Sequence, residues 1–215
     1  MLTTPSPVQQ PQQARSRESM NQMLDAAAQI LETKTFEALT IAEVVQRAGT
    51  SVGAFYGRFK DKDGLLHALD ERFFQEFERD FTTLICQPEW SESPIAGIIR
   101  DTARFLVETY RKQSGVLRSL NLKARLYGDT DFKAREQRAW KELYPQLQNI
   151  LLAHQAEMSH PNPSLAIQLG FQQMFFTLRE ILLWDPLRES RSYEKEELIA
   201  ELSRAYLAYL GIWEA

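Results

Sequence analysis

The sequence predicts an all-α protein. Apolar residues recur at intervals of three and four along most of the chain, and no stretch alternates apolar and polar residues as a half-buried strand does. Capping residues, glycines and prolines divide this pattern into segments of helical length. With 215 residues, 44% of them hydrophobic, the chain can bury a substantial core, and disorder of its bulk is excluded.

The N-terminal segment 1–14 predicts a flexible tail. It reads MLTTPSPVQQPQQA, is rich in Pro and Gln, and carries no charged side chain. It lacks the basic start and apolar middle of a secretory signal. From Arg17 the pattern becomes that of an amphipathic helix. The residues on its apolar face are Met20, Met23, Leu24, Ala27, Ile30 and Leu31.

The next segment predicts two short helices joined by a tight turn. Thr40-Ile41-Ala42-Glu43 is a capping box, in which the Thr hydroxyl and the Glu carboxylate each bond the other residue's backbone amide. Gly49 suits the left-handed conformation that ends a helix. Thr50 or Ser51 can cap the second helix, which we expect to run through Phe59.

A longer helix is expected after this pair, and further helices follow it. Asp61 can cap a helix over 62–81 with Leu65, Leu66 and Phe77 among its inward residues. Pro88 and Pro94 bracket a loop that is the best candidate boundary between two regions. Beyond it the breaks at Gly115, Gly128-Asp129, 159–163 and Asp185-Pro186 predict helices over about 95–113, 115–126, 130–157, 163–185 and 194–212.

Charge and cysteine usage favour a cytoplasmic protein and exclude one that coats nucleic acid. The formal net charge is −4, from 25 Lys+Arg and 29 Asp+Glu. Residues 1–62 hold 7 basic and 6 acidic residues and the remainder 18 and 23, so the basic excess lies near the N-terminus. Cys86 is the single cysteine, which fits a reducing compartment. No apolar run approaches the about 20 residues that a membrane span needs, so no membrane partner is expected.

The sequence offers no catalytic constellation, so we expect no enzyme. The three histidines, His67, His154 and His160, lie at no metal-ligand spacing, and the chain has neither a Gly-rich phosphate loop nor a nucleophile turn. We therefore expect no catalytic residues, no metal and no cofactor.

The capped helix, Gly-containing turn and short helix together form a helix-turn-helix, whose second helix can enter a DNA major groove. The run from Thr40-Ile41-Ala42-Glu43 through Ala48-Gly49-Thr50-Ser51 and Phe55-Tyr56 to Phe59-Lys60-Asp61-Lys62 and Leu65-Leu66 resembles the DNA-binding domain of the tetracycline-repressor (TetR) family. The resemblance covers about residues 17–70. It implies a DNA-binding domain at 15–62 and a helical ligand-binding and dimerisation bundle at 63–215, with 62–81 as the connecting helix.

The resemblance also implies roles for individual residues. Thr40, Tyr56 and Lys62 stand at positions that contact the phosphate backbone. Base edges are faced by Val52, Gly53, Ala54 and Arg58, and Thr50 and Ser51 complete the predicted DNA-binding set. Because Gly53, Ala54 and Gly57 have no side-chain donors, direct readout falls to Arg58, Ser51 and methyl contacts, with DNA shape supplying the rest. Lys60 and Lys62 remain open to a second interpretation, as a plain solvated turn.

The C-terminal region is expected to hold an effector pocket and a dimer interface, as the resemblance implies. Helix 163–185 is apolar nearly all round and so needs partners on every side, and the last helix carries one apolar stripe. The expected interface residues are Phe176, Leu183, Leu202, Tyr206 and Tyr209. The expected pocket lies within about 95–185, lined by Phe105, Leu106, Tyr110, Leu120, Trp140, Tyr144, Phe171, Met174 and Phe175. An apolar or aromatic effector is expected, rather than a sugar or phosphate. The alternative is a bundle that these side chains fill completely.

The sequence thus predicts a cytoplasmic, ligand-responsive regulator of transcription. It is expected to be a repressor that binds a palindromic double-stranded operator as a homodimer and is released by a small-molecule effector. The alternative is a dimeric helical ligand-binding or scaffolding protein whose helix-turn-helix no longer reads DNA. The donor-poor second helix and the acidic net charge favour this alternative.

Overall fold

The chain is helical throughout the part that the computed structural model describes, which comprises residues 12–127, 130–184 and 193–213. No residue in these ranges lies in a strand, which confirms the all-α prediction. Residues 1–11 of the predicted tail lie outside the described residues. The predicted breaks at Gly128-Asp129 and Asp185-Pro186 lie outside them as well. The helices are α1 (Gln12–Leu31), α2 (Ile41–Arg47), α3 (Val52–Tyr56), α4 (Lys62–Ile85), α5 (Pro88–Ser91), α6 (Ile95–Lys112), α7 (Ser114–Tyr127), α8 (Thr130–Ala153), α9 (Pro163–Trp184) and α10 (Lys195–Leu210), with a 3-10 turn at Gln155–Glu157.

The chain divides into two compact units within α4, the first ending at Leu69 and the second beginning at Asp70. The Pro88–Pro94 segment lies inside the second unit, where it forms α5 and buries Trp90. Residues 12–14, which we assigned to the tail, belong to α1.

The first unit consists of α1, α2, α3 and the start of α4. The predicted apolar spacing of α1 is confirmed in that Met23, Leu24 and Leu31 are almost wholly buried. Leu65, Leu66 and Leu69 of α4 are buried as well, and the Asp61 carboxylate accepts from the Gly64 amide at 2.9 Å to cap that helix. The second helix of the pair ends at Tyr56. The sequence predicted that it would continue through Phe59.

The second unit is a bundle of the remaining helices around a core of aliphatic and aromatic side chains. The helices α6, α9 and α10 pack closely on one another. Gly170 of α9 makes room for the ring of Tyr206, whose hydroxyl donates to the Ile167 carbonyl at 2.7 Å. On the α4 side, the buried carboxylate of Asp70 forms an ion pair with the Arg135 guanidinium of α8. This pair joins α4 to α8 inside the second unit.

Candidate nucleic-acid interface and cavity

Local hydrogen bonds build the helix-turn-helix as the sequence predicts. The Thr40 hydroxyl accepts from the Glu43 amide at 3.3 Å, and the Glu43 carboxylate accepts from the Thr40 amide at 3.2 Å, which confirms the capping box. Lys34 donates to the same carboxylate, and this bond, followed by those from Thr40, holds the pKa of Glu43 below its usual value. Gly49 has φ +62°, the left-handed conformation that ends α2.

Ser51 is the residue that caps α3. Its hydroxyl accepts from the Ala54 amide at 3.1 Å. Thr50, the other candidate, is half-buried, with its hydroxyl 3.5 Å from that of Ser19. Ser51 and Thr40 are exposed at the starts of their helices, so both hydroxyls lie at the surface of the first unit.

One side of α3 is fixed in the core and the other faces solvent. The Phe55 ring is fully buried and packs on Phe59 with the ring centroids 5.1 Å apart. Val52 and Tyr56 are 48% and 57% exposed, and Gly53 is exposed beside them. Phe55 therefore fills the inward position, and the Val52 and Tyr56 side chains lie on the surface that a nucleic acid would meet.

Arg58 is partly engaged by the backbone of its own unit. Its Nη1 donates to the Ala54 carbonyl at 2.8 Å, and its Nε donates to the Ser16 carbonyl at 3.2 Å. A guanidinium has five N–H donors, so these two bonds leave Arg58 able to donate to a base or a phosphate. The bond to Ser16 also places the guanidinium beside the start of α1.

Lys62 is used differently from what the sequence led us to expect. Its ammonium donates to the carbonyls of Phe36, Glu37 and Leu39 at 3.2, 3.1 and 2.9 Å, and it lies 5.1 Å from the centroid of the Phe36 ring. Since an ammonium has three donors, these bonds occupy all of them. Lys62 holds the segment between α1 and α2, and a phosphate contact would have to replace one of these bonds. Lys60 is exposed two residues before it.

A cavity of about 380 Å³ lies between α8 and α9 in the second unit. Its size falls within the about 300–1,000 Å³ typical of small-molecule sites. Four of the expected pocket residues line it: Trp140, Tyr144, Phe171 and Phe175. The remaining lining residues are Glu136, Gln137, Lys141, Gln168, Gln172, Phe176 and Arg179.

The other expected pocket residues lie elsewhere in the second unit. Tyr110 lines a void of about 10 Å³ with Glu136 and Trp140, and burial raises its pKa. The Phe105 ring packs on the rings of Phe77 and Phe81. Leu106, Leu120 and Met174 are buried in the core and do not line the cavity.

A charged pair at one end of the cavity was not expected from the sequence. The Arg179 Nη1 lies 3.5 Å from the Glu136 carboxylate, and the guanidinium stacks over the Phe175 and Phe176 rings at 5.6 and 4.9 Å. Burial raises the pKa of Glu136, and Arg179 opposes this shift. The spacing of Glu136, Trp140 and Tyr144 on α8, four residues apart, is the signal that could have revealed this lining.

The structure buries three of the five side chains that we assigned to a dimer interface. Leu183, Leu202 and Tyr206 are 3–6% exposed within the single chain, so they offer a second copy no surface. Phe176 is 48% exposed, and Tyr209 is half-buried against Gly170 and His160. Exposed apolar side chains lie in line on α9, where Leu165 and Leu169 are 50% and 37% exposed and Phe176 is 48% exposed.

Within the described residues, no helix has both the length and the apolar character to cross a membrane. Across these same ranges, no group of three or more His, Cys, Asp or Glu side chains is placed to hold a metal ion.

Comparison with known proteins agrees with the geometry of the first unit. Residues 23–69 match the family model of bacterial regulatory proteins of the tetR family. Nucleoid occlusion factor SlmA of Actinobacillus pleuropneumoniae serotype 5b is 28% identical over 136 residues, which span 63% of this chain and 65% of that protein. The match therefore covers just under two thirds of the relative.

Solved structures share the fold of nearly the whole chain. A tetR-family regulatory protein from Rhodococcus RHA1 superposes with a TM-score of 0.68 at 15% identity, over 91% of this chain and 98% of its own. A tetR-family transcriptional regulator from Streptomyces coelicolor gives a TM-score of 0.67 at 16% identity, over 90% of this chain and 80% of its own.

Proposed function

We propose that this chain, which belongs to the TetR family of DNA-binding regulatory proteins, represses transcription from a palindromic operator and leaves it when a small molecule binds. We further propose that it acts in the cytoplasm as a homodimer. The observation that carries the proposal is α3, a short capped helix whose Phe55 is fixed in the core while Val52 and Tyr56 face solvent. A major groove is wide enough to admit such a helix.

The DNA contacts follow from the donors that remain available on this surface. Tyr56, Ser51 and Lys60 are exposed and can donate to phosphate oxygens, which fixes orientation without reading sequence. The Thr40 hydroxyl donates to the Glu43 carboxylate at 2.9 Å, so a phosphate contact from Thr40 would have to replace that bond. Arg58 keeps free N–H groups and is a long side chain beside α3 that can bond a guanine edge. Val52 and Ala54 supply methyl contacts to thymine. Lys62 supports the unit from within.

The proposed dimer uses the exposed stripe on α9, where Leu165, Leu169 and Phe176 recur at helical spacing. Apolar side chains in a continuous line on a surface favour a protein partner. A two-fold dimer would present two α3 helices to successive major grooves, about 34–36 Å apart.

The effector site is the cavity between α8 and α9 in the second unit. An effector releases the protein from DNA only if it binds the DNA-free arrangement more tightly than the DNA-bound one. The Asp70–Arg135 ion pair joins α4 to α8 one residue before Glu136, which lines the cavity. Since α4 begins at Lys62 in the first unit, we propose α4 as the element through which the effector acts.

An electrophoretic mobility-shift titration with the DNA upstream of the gene that encodes this chain tests this function. We expect a complex that weakens steeply with salt, because phosphate contacts release counterions. Tyr56→Phe should weaken binding equally on all sequences, and Arg58→Ala should relax preference at one base pair by roughly 1–3 kcal/mol. A complex equally tight on scrambled DNA, or none at all, would favour the alternative of a helical ligand-binding or scaffolding protein.

A further inference from the structure

We propose that the effector is a carboxylate with a flat apolar body, bound with its carboxylate at Arg179 and its body against Trp140 and Phe175. This inference rests on the proposed function, since it names the chemistry of that effector. It adds a charged group to the apolar or aromatic ligand expected from the sequence, because the cavity contains charged side chains that periodicity alone did not place there.

The cavity is built as pairs of side chains across two helices. On α8, Glu136, Trp140 and Tyr144 follow at intervals of four, and on α9 Phe171, Phe175 and Arg179 do the same in the opposite order. Arg179 faces Glu136, the Phe175 ring lies 5.0 Å from Trp140, and the Phe171 ring lies 5.3 Å from Tyr144.

The pairs place charge at one end of the cavity and aromatic rings beyond it, and the amide side chains of Gln137, Gln168 and Gln172 also line it. From Glu136 to Tyr144 is eight residues, or about 12 Å of helix. Because the other two pairs are rings, they favour a flat apolar group about two helical turns long.

The charged end favours an anion. The lining contains two cationic side chains, Arg179 and Lys141, and one carboxylate, that of Glu136. The bond between Arg179 and Glu136 is single and long, at 3.5 Å, and the buried Arg179 Nε has no hydrogen-bond partner among the described residues. The guanidinium thus has donors to give, and it is already held over two aromatic rings.

A monocarboxylate fits this end better than a phosphate. A carboxylate can accept two parallel N–H bonds from a guanidinium, and its single negative charge balances the net charge of +1 on the lining side chains. A phosphate would bring a second negative charge beside Glu136 with only Lys141, at the exposed rim, to balance it. An ammonium ligand would meet Arg179 at close range.

Three probes of one shape separate these possibilities: biphenyl-4-carboxylate, biphenyl-4-carboxamide and biphenyl-4-methanamine. Calorimetric titration into the full-length wild-type protein should give a dissociation constant at least about tenfold lower for the carboxylate than for the amide, because bonds to charged groups are stronger than neutral ones. The amine should bind most weakly. This comparison uses the wild type alone and does not depend on the folding of a variant.

Variants then assign the preference to one residue. Arg179→Met keeps an unbranched apolar side chain over the rings and should abolish the preference for the carboxylate. Arg125→Met is the matched control. Arg125 also forms an ion pair with a glutamate, Glu180, at 3.0 Å and stacks on the Trp184 ring. Unlike Arg179, it does not line the cavity. Arg125→Met should leave the preference unchanged.

The inference is overturned if the amide or amine binds as tightly as the carboxylate, or if Arg179→Met retains the preference. It is also overturned if none of the probes binds at millimolar concentration. That result would indicate that a second copy of the chain covers the cavity between α8 and α9. Operator binding of the ligand-free protein, measured in parallel, keeps the proposed function separate. If DNA binding persists while the carboxylate preference fails, only the ligand chemistry is wrong.

Discussion

Replacing Gly170 with alanine should destabilise the protein, although alanine is the better helix former. A Cβ at this position of α9 would lie 2.3 and 2.4 Å from two carbons of the Tyr206 ring and 3.3 Å from a ring carbon of Tyr209. Non-bonded carbons sit at about 3.5–4.0 Å, so the Tyr206 ring would have to retreat by more than about 1 Å. The ring is 3% exposed, and its hydroxyl is held by the Ile167 carbonyl.

The expected size of the effect follows from these contacts. Overpacking a filled core costs about 1–3 kcal/mol, and losing the buried tyrosine hydrogen bond adds up to about 1–3 kcal/mol. The gain in helix propensity from glycine to alanine offsets about 1 kcal/mol of this. We expect a net loss of about 1–5 kcal/mol, which for a chain of this length lowers the melting temperature by several degrees.

The assay is thermal unfolding followed by circular dichroism, with Gly97→Ala as the matched control. Gly97 lies in α6, where a Cβ would meet only the Ser93 Cβ at 3.8 Å, an ordinary contact. Gly97→Ala should therefore leave the melting temperature unchanged or raise it. If Gly170→Ala melts at or above the wild-type temperature, the Tyr206 ring of α10 does not pack against Gly170 of α9 closely enough to exclude a Cβ.

Three further predictions concern the Lys62 ammonium, the α9 stripe and the Glu136 carboxylate. Lys62→Ala should cost about 1–2 kcal/mol of stability through the three carbonyls that it bonds, while the salt slope of DNA binding stays as in the wild type. If the salt slope of DNA binding instead falls by about one while stability is unchanged, Lys62 contacts a phosphate. Leu169→Asp should yield a folded monomer, whereas Leu202→Asp should unfold the second unit by burying an unpaired charge; light scattering that shows a Leu169→Asp dimer contradicts the interface. Burial raises the pKa of Glu136 above its usual 4.5, so the folded state binds this proton more tightly and stability falls as pH rises through the raised pKa. Glu136→Gln should therefore gain in melting temperature over the wild type as pH increases above 4.5, and a constant difference across pH would refute this.

Local signals in the sequence predicted the helix-turn-helix closely. The capping box at Thr40 and Glu43, the left-handed Gly49 and the caps at Ser51 and Asp61 each depend on residues within three or four positions of one another. Such bonds form from the local chain alone, so a single sequence is enough to place them.

Contacts between distant residues could not be read in the same way. Lys62 bonds carbonyls 23–26 residues away, and Arg179 pairs with a glutamate 43 residues away. The apolar stripe of α10 shows a second limit of the pattern. Periodicity indicates that Leu202 and Tyr206 need an apolar partner but not whether that partner is the same chain. The structure buries both within the chain, and Tyr206 packs on α9.

Selection of binding sites from a pool of random-sequence duplexes tests the central claim most directly, because it requires no knowledge of the operator. We expect enrichment of a palindrome whose half-sites lie one helical turn, about 10–10.5 base pairs, or a multiple of it, apart. The preference at one position of each half-site should disappear with Arg58→Ala. A bound pool with no enriched sequence, or with an enriched sequence lacking two-fold symmetry, would contradict the account.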